Sequence, residues 1–494
     1  MGEGPRWAAG LRAAAGPGYA DAASREREND ENRVADLAER LIERRLAEKT
    51  SARAPAAGGD AAPGPVAAFW RRRPREGTPQ ELVEREARLR YMQERCQEVL
   101  TDKELDTLHA VMRKHCVAAG EPGEPGPLLM SYGGFCLSAN HVVQEVGERA
   151  AWQFTPSLFA RFQQTDTGLI DFQNLIAVLV HRNRRLQNRI LLGSYDRRGD
   201  GALERQDLEA FVDDMQAQGF LLAVRNVPPN FRPKWLRVCT QKFLFLHGVK
   251  GQVKVKDLAS SPALQELQAL YADPYETGSI QANLLQLCKN WFSVYSAQRV
   301  HHLFADLDRD MDGALSPDEF QPFGGGGLTD VFVQRVFEVH ALKRRSGLGR
   351  HGGGGGGRGG MGMDAFVDFV VAWENKKLKP ALRYFFDIFD LRGQGYLTHV
   401  EFHTFFREVS AKLSASGQEE TKTEDVHNEV FDMVKPAVEG RITFADLWRS
   451  DCGATVVDIL ADVHGFWRYD NRESLMHDEE DEDEDGPAGG DSFY

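Results

Sequence analysis

The chain has 494 residues, of which 42% are hydrophobic and 27% charged, and its formal net charge is −14. This length allows two or more domains, and no apolar run approaches the about 18 residues that a membrane-spanning helix needs. The acidic balance disfavours a general nucleic-acid-binding protein. Six cysteines stand far apart without a CxxC pair, which indicates reduced thiols in the cytosol rather than metal clusters or redox motifs. We therefore expect no membrane span and no nucleic-acid partner.

Residues 1–64 are rich in Gly, Ala, Pro and Arg, which predicts a mostly disordered tail. Within it, apolar residues from Val34 to Ala47 mark one face of a charged helix, which either docks or stays solvated. Residues 65–99 are predicted to form a basic and aromatic segment followed by a long helix. The segment Phe69–Arg75 favours packing on the protein or on a partner, and nucleic-acid binding or nuclear import is the alternative.

From residue 100 onwards one pattern recurs: a helix, a short turn with glycine, an apolar residue two positions later, and another helix. This is the skeleton of an EF-hand, repeated here in mostly defective copies. The glycine and apolar pairs are Gly168/Ile170, Gly201/Leu203, Gly251/Val253, Gly278/Ile280, Gly313/Leu315, Gly395/Leu397 and Gly440/Ile442. The repeat predicts an all-α fold of tandem EF-hand pairs, mostly degenerate, in an elongated two-part helical body.

The predicted domains follow from this repeat. We expect an N-terminal degenerate EF-hand domain over residues 100–285 and a C-terminal EF-hand domain with one competent calcium loop over residues 286–470. Residues 471–494 include eight consecutive acids, Asp478–Asp485, and are expected to form a disordered, solvated tail.

One copy, Asp308–Glu319, fits the twelve-residue EF-hand calcium loop. The expected ligands are Asp308, Asp310, Asp312, the backbone carbonyl of Ala314, Ser316 through a water, and Glu319 with both oxygens. Aspartates at alternate positions converge only if the backbone curls around the ion, which Gly313 permits. The stretch from Ser316 to Glu319 is also typical of a helix start with a serine N-cap. The loop predicts one Ca²⁺ site, with Mg²⁺ as the milder alternative.

A second loop, residues 196–207, is a weak candidate. Asp196, Asp200 and Asp207 stand at positions one, five and twelve. Arg198 occupies position three, where its cation opposes a metal, and an aspartate at position twelve weakens bidentate closure. We expect this loop to be structural or at most a weak site. The remaining copies lack a ligand set and are expected to bind no metal.

No other stretch predicts a chemical site. Gly324–Gly327 and Gly352–Gly360 lack the strand and the Lys-Ser/Thr end of a phosphate-binding loop, so we expect flexible insertions. His301 and His302 are not spaced to share a metal on one helix face, and the pair His115-Cys116 has no recognisable nucleophile context. We therefore expect a protein that is not an enzyme.

Several segments together resemble the B″-type regulatory subunits of protein phosphatase 2A. The resemblance is to the branch that contains the plant FASS/TONNEAU protein and its animal centrosomal relative, and it covers roughly residues 65–476. The matching segments are Phe69–Gly77, Asn290–Ser293 with Ser296–Arg299, Asp308–Glu319, Phe369–Asn375, Phe431–Pro436 and Gly465–Glu473.

The resemblance implies a non-catalytic subunit that binds the phosphatase scaffold and catalytic subunits. It also implies cytoskeletal or centrosomal recruiting proteins as partners, and substrates that organise microtubules at centrosomes or the cell cortex. The implied location is the cytoplasm and cytoskeleton, at a microtubule-organising centre or the cell cortex, with a nuclear pool as a further option. A stand-alone calcium sensor or adaptor that binds cytoskeletal partners without the phosphatase is the alternative. One competent loop in seven and few, dispersed methionines disfavour that alternative.

Overall fold

The computed structural model describes residues 79–118, 126–218, 227–270, 289–345, 360–418 and 421–472. Five predictions lie outside these ranges: the tail with its helix at 34–47, the segment Phe69–Arg75, the copy Gly278/Ile280, the domain boundary at 285/286 and the acidic run. None of the helices within the described ranges combines the length and the apolar character needed to cross a membrane.

Contacts divide the chain into two compact units. The first comprises the described residues up to 203 together with 254–261, and the second comprises 204–253 and those from 262 onwards. Strands β4 (Ala202–Glu204) and β6 (Gln252–Lys254) each cross this division by one residue.

The first unit is helical with one small sheet. Its helices are α1 (Pro79–Cys96), α2 (Asp102–Arg113), α3 (Tyr132–Val146), α4 (Pro156–Phe159), α5 (Phe172–Tyr195) and α8 (Val255–Leu258), with a 3-10 helix at Glu148–Gln153. Its strands β1 (Val117–Ala118), β2 (Leu128–Met130) and β3 (Ile170–Asp171) form an antiparallel sheet in the order β1-β2-β3. Met130 is the partner of Ile170 in this sheet. The pairing joins two helix–strand–helix motifs, α2–β2–α3 and α4–β3–α5, as in an EF-hand pair.

A buried asparagine fixes the start of α2 in the first unit. Asn183 on α5 accepts a hydrogen bond from the Leu100 N–H at 2.9 Å and donates one to the Leu100 carbonyl at 2.8 Å. One residue later, Glu104 Oε2 accepts hydrogen bonds from the Thr101 N–H and hydroxyl, both at 2.9 Å, and so caps the start of α2. Two backbone groups that would otherwise be unpaired are thereby satisfied.

The second unit holds most of the helices described. They are α6 (Arg205–Gln218), α7 (Arg232–His247), α9 (Pro262–Ala269), α10 (Val294–Leu307), α11 (Pro317–Phe320), α12 (Asp330–Arg345), α13 (Met363–Glu374), α14 (Lys379–Phe389), α15 (His399–Ala415), α16 (Thr423–Val434), α17 (Phe444–Arg449), α18 (Gly453–Ala461) and α19 (Val463–Asp470). Its strands are β5 (Gly248–Val249), β7 (Ala314–Leu315), β8 (Met361–Gly362), β9 (Tyr396–Leu397) and β10 (Ile442–Thr443).

Two EF-hand pairs form the larger part of this unit. Leu315 of β7 pairs antiparallel with Met361 of β8, and Leu397 of β9 pairs antiparallel with Ile442 of β10. The first pair is therefore α10–β7–α11 with α12–β8–α13, and the second is α14–β9–α15 with α16–β10–α17. The predicted class, an all-α fold of tandem EF-hand pairs, is confirmed.

Polar contacts attach α7 to the first of these pairs. Arg237 on α7 forms an ion pair with Asp364 on α13, and the Gln241 amide donates to Asp368 one turn further along α13 at 2.6 Å. Arg205 of α6 lies 3.6 Å from the same Asp364 carboxylate. These contacts explain why α6 and α7 belong to the second unit, although the sequence suggested an N-terminal domain that continues to residue 285.

The structure corrects the prediction for Gly324–Gly327. Gly324, Gly325 and Gly326 have φ values of +65°, +81° and +80°, and they form a tight turn after α11. The Gly327 carbonyl accepts a hydrogen bond from the Val463 N–H at 2.9 Å, and a side chain at Gly327 would collide with Asp462. These glycines are needed for backbone conformation and close approach, and they are not a flexible insertion. Of Gly352–Gly360, only Gly360 lies within the described residues.

The motif Asn290–Ser293 has a packing role. The Trp291 indole donates to the Val238 carbonyl at 3.2 Å, and the Phe292 carbonyl accepts from the Trp235 indole at 2.9 Å. Ser293 caps α10 by accepting from the Ser296 N–H at 3.1 Å. This segment therefore fixes the start of the helix that leads into the predicted calcium loop.

Candidate metal centre

The loop 308–319 lies between α10 and α11, as the sequence predicts. Helix α10 ends at Leu307, and Asp308 is its C-cap. Helix α11 begins with Pro317 after the N-cap Ser316, whose N–H and hydroxyl donate to Glu319 Oε2 at 2.9 and 2.7 Å. The predicted capping box is thus present, and it holds the loop's last carboxylate at the base of the loop.

The backbone of the loop curls tightly between these helices. Met311 and Gly313 both adopt left-handed conformations, with φ of +57° and +83°. Only glycine adopts this conformation without strain, and the Met311 side chain is 85% exposed. The curl brings Asp308, Asp310 and Asp312 together, with one carboxylate oxygen of each within 4.8 Å of the others.

Each aspartate uses an oxygen to hold the loop in shape. Asp308 Oδ2 accepts from the Gly313 N–H at 3.1 Å, Asp310 Oδ1 from the Asp312 N–H at 3.1 Å, and Asp312 Oδ1 from the Ala314 N–H at 2.7 Å. The second Asp308 oxygen, Oδ1, is buried and has no hydrogen-bond partner. A buried carboxylate oxygen without a partner is costly unless a cation binds it.

Glu319 is the hydrogen-bond centre of the loop. Besides the Ser316 contacts, its Oε1 accepts from the backbone N–H groups of Arg309 and Asp310 at 3.0 and 3.4 Å. These bonds, chiefly those from the Ser316 backbone N–H and hydroxyl, lower the pKa of Glu319 to about 2. The carboxylate is therefore ionised at neutral pH and already points toward the first half of the loop.

The donor set fits a hard divalent cation. All the candidate groups offer oxygen: the three aspartates, the Ala314 carbonyl, Ser316 and Glu319. Ca²⁺ takes six to eight such ligands, and the four carboxylates, with a combined charge of −4, more than neutralise its charge of +2. A bound ion would be a positively charged partner for the buried Asp308 Oδ1, which has no hydrogen-bond partner.

The structure does not bring the weak candidate residues together as a ligand group. Both Asp196 oxygens accept backbone N–H groups, from Gly199 at 2.6 Å and Gly201 at 2.8 Å. Arg198 lies 3.4 Å from Asp200 and forms an ion pair with it. Asp207, which belongs to the second unit, accepts from the Glu204 N–H at 3.0 Å at the start of α6. Within the described residues, only Asp308, Asp310 and Asp312 form a carboxylate cluster with metal-binding spacing.

The degenerate loop 390–401 neutralises its own carboxylates. Both Asp390 oxygens accept backbone N–H groups, from Gln394 at 3.0 Å and Gly395 at 2.6 Å. Glu401 is 1% exposed, and its Oε1 lies 3.5 Å from both the Arg392 guanidinium and the Gln394 amide. The arginine at position three thus places a positive charge beside Glu401. The glutamine at position five gives the same carboxylate a hydrogen-bond donor.

Two EF-hand copies were missed by sequence reasoning. The strand β8, which pairs with the candidate calcium loop, follows the glycine-rich stretch, and β2 follows residues 119–125, outside the described part of the chain. The copy at β2 has no glycine two positions before Met130, and in the copy at β8 the glycine two positions before Met361, Gly359, stands within a run of glycines. The available signals were the apolar residues Met361 and Met130, each two positions before the start of a helix.

No family model matches the chain. It is 32% identical over 419 residues to TON2 of Arabidopsis thaliana, a probable B″ regulatory subunit of serine/threonine-protein phosphatase 2A, with 84% of each chain covered. The chain belongs to the B″ family of protein phosphatase 2A regulatory subunits. The human gamma member of this family is 30% identical over 394 residues, covering 79% of this B″ chain and 80% of that protein. A solved chain described as a PP2A PR70 holoenzyme is 23% identical, with a TM-score of 0.43 over 53% of this chain and 91% of that one.

The resemblance predicted from the sequence motifs is thereby confirmed. The matches extend over about four fifths of this B″ chain and of its relatives, so they include both units and not the loop 308–319 alone. These relatives are named as regulatory subunits.

The degenerate loop of this B″ chain should be convertible into a calcium loop. Replacing Arg392 and Gln394 together by aspartate gives acids at positions one, three, five and twelve, with Thr398 at position nine. We expect calorimetric titration of the full-length double variant to show two calcium equivalents where the parent shows one. The single change Gln394→Asp is the control and should keep one equivalent, because Arg392 still opposes the metal. A double variant that binds one equivalent would contradict the role given to Arg392.

Proposed function

We propose that this chain is a non-catalytic regulatory and targeting subunit of the protein phosphatase 2A holoenzyme. In this role it binds the scaffold and catalytic subunits and directs dephosphorylation toward substrates that organise microtubules at centrosomes or the cell cortex. The observation that carries the proposal is the 32% identity to a B″ relative over 84% of both chains. A match of that extent indicates a shared body and not a shared calcium loop alone.

The proposed location follows from the same likeness. It is the cytoplasm and the cytoskeleton, at a microtubule-organising centre or the cortex, with a nuclear pool. Cytoskeletal recruiting proteins would bring the chain there. Support comes from the sequence motifs shared with the plant and centrosomal branch.

Calcium binding at the loop 308–319 is part of this proposal. It is supported by the three converging aspartates, the buried Asp308 Oδ1 without a partner, and the ionised Glu319. Phe320, the residue after Glu319, is fully buried and its ring lies 4.8 Å from that of Phe369. An ion held by Glu319 would therefore stiffen the contact between the loop and the aromatic core. The proposed effect is to fix the shape of a surface that binds the phosphatase.

Affinity purification of the tagged full-length chain tests the proposal. We expect mass spectrometry to find the scaffold and catalytic subunits, and the eluate to have phosphatase activity, in the presence of calcium. Addition of a calcium chelator, or the change Glu319→Gln, should reduce the recovery of both subunits. The matched change Glu401→Gln, at position twelve of the degenerate loop, should leave recovery unchanged.

The outcomes separate the two parts of the proposal. A chain that never recovers scaffold or phosphatase activity would refute the regulatory role. If it instead exposed a large apolar surface on calcium addition, the stand-alone sensor would be favoured. Recovery that is the same with and without chelator would leave the regulatory role standing and reject calcium as its modulator.

A further inference from the structure

Three histidines meet in the last EF-hand pair, away from the calcium loop. His399 and His403 lie four residues apart at the start of α15, and His427 lies on the neighbouring helix α16. The ring centroid of His399 is 4.8 Å from that of His427 and 5.9 Å from that of His403. Residues four apart on a helix share one face, so the three imidazoles form one cluster.

His427 has an unsatisfied nitrogen in this cluster. Its Nδ1 lies 3.2 Å from the Asn428 side-chain oxygen. With that oxygen as the acceptor, Nδ1 carries the proton and Nε2 carries a lone pair. Nε2 is buried and has no hydrogen-bond partner. A buried acceptor of this kind requires an explanation, and an ion is one of the few that apply. An oxygen acceptor that holds Nδ1–H is also the usual outer contact of a metal-binding histidine.

Packing alone accounts for only part of this arrangement. The His427 ring lies 4.3 Å from Phe431 and 5.4 Å from Phe402, centroid to centroid, which explains why the ring is partly buried. These contacts satisfy the faces and carbon edges of the imidazole. They do not satisfy Nε2, and they do not explain two further histidines beside it.

We propose that His399, His403 and His427 form a binding site for a divalent transition-metal ion, with Zn²⁺ as the ion of choice. Zn²⁺ prefers imidazole nitrogen at about 2.0–2.1 Å, and sites with three histidines leave a fourth position for water. Histidines four apart on a helix are a known zinc-binding arrangement. In the structure the three rings do not converge on one point. Among the described residues, only the aspartates of the loop 308–319 form a group with metal-binding spacing. His399 and His403 are exposed, and a change of side-chain rotamer would redirect their ring nitrogens.

This site is chemically distinct from the calcium loop. It offers nitrogen where the loop 308–319 offers oxygen, and hard cations such as Ca²⁺ and Mg²⁺ prefer oxygen. It would join α15, the exit helix of the degenerate loop 390–401, to α16, the entry helix of the next copy. A metal ion would therefore clamp two helices of an EF-hand pair that has no competent calcium loop.

Calorimetric titration of the full-length chain with Zn²⁺, at pH 7.5 and in excess Ca²⁺, tests the site. We expect one tight equivalent, and at least tenfold weaker binding after His403→Ala or His427→Phe, since phenylalanine keeps the ring packing and removes both nitrogens. Titration with Co²⁺ should give a visible absorption band of a tetrahedral nitrogen site, which both variants lose. Circular dichroism before titration shows that the variants are folded.

Two control variants make the result decisive. His464→Ala removes an exposed histidine outside the cluster and should leave affinity unchanged. His115 and His141 form another pair, with Nε2 and Nδ1 2.9 Å apart, so His141→Ala tests that competitor. The proposal is overturned if His141→Ala abolishes binding, if the cluster variants bind as the parent does, or if no tight equivalent is found.

Discussion

Replacing Glu319 by glutamine is expected to weaken calcium binding by the full-length chain at least about 100-fold, a change of about 2.7 kcal/mol. Glutamine removes a negative charge and one of the two ligand oxygens, so bidentate closure is lost. It also replaces one of the two carboxylate oxygens that accept hydrogen bonds from the N–H groups of Arg309, Asp310 and Ser316. Isothermal titration calorimetry with calcium gives the affinity directly.

The same change at Glu401 is the matched control. Glu401 also stands at position twelve, and its Oε2 also accepts from the N-cap residue, here the Thr398 N–H at 2.9 Å. Glu401→Gln therefore disturbs a capping box to a similar extent without touching the proposed ligands. Equal calcium affinity in the parent and Glu319→Gln would refute the site, and equal losses in both variants would point to a general effect on folding.

The pH dependence of stability gives an independent check on Glu319. Its pKa of about 2 in the folded chain lies below the ordinary value of 4.5, so its ionised form stabilises the folded state. This contribution is complete above about pH 4.5 and is lost as the pH falls toward 2. The difference in melting temperature between the parent and Glu319→Gln, measured without calcium, should therefore shrink over that interval.

Local signals explain what the sequence predicted correctly. The capping box at Ser316, the curl at Gly313 and the acid spacing all depend on residues within twelve positions of one another. The prediction of an apolar residue two positions after each loop glycine was also correct. Among the described residues it is a buried strand residue in every copy that the pattern identified: Ile170, Leu203, Val253, Leu315, Leu397 and Ile442.

Contacts between distant segments explain what was missed. Strand β8 is recognised only through its pairing with Leu315, because its own loop has no acid spacing and its glycine, Gly359, stands within a run of glycines. The assignment of α7 to the second unit depends on Arg237 and Gln241 reaching α13, more than a hundred residues later. The histidine cluster combines a visible four-residue spacing at 399 and 403 with His427, which only the fold brings near.

The candidate calcium loop and two of the loops predicted to be degenerate share a backbone feature. In all three described loops with acids at both ends, the first aspartate receives a backbone N–H from the glycine at position six. The difference lies in the remaining oxygen. Asp196 and Asp390 give it to a second backbone N–H, whereas Asp308 Oδ1 has no partner. The unpartnered oxygen of Asp308 is thus a structural difference between the candidate calcium loop and the other two loops, and residue spacing alone does not reveal it.

Truncating Phe369 to alanine is expected to cost the second unit about 3–5 kcal/mol of unfolding free energy, the usual range for a buried phenylalanine. Phe369 on α13 is fully buried, and its ring centroid lies 4.8 Å from Phe320, 5.2 Å from Phe323 and 5.7 Å from Trp373. Phe320 follows Glu319 directly, so the cavity should also weaken calcium binding by releasing the base of the loop.

Denaturant unfolding followed by tryptophan fluorescence measures this loss, and the two units require a fit that allows two transitions. Tyr295→Ala on α10 is the control, because it removes an aromatic ring that is 51% exposed in the same EF-hand pair and should change stability by less than about 0.5 kcal/mol. Saturating calcium should restore part of the stability lost in Phe369→Ala, since an ion that binds only the folded state stabilises it by mass action. A loss below about 1 kcal/mol, or one that equals the effect of Tyr295→Ala, would mean that the aromatic cluster does not hold the calcium loop in place.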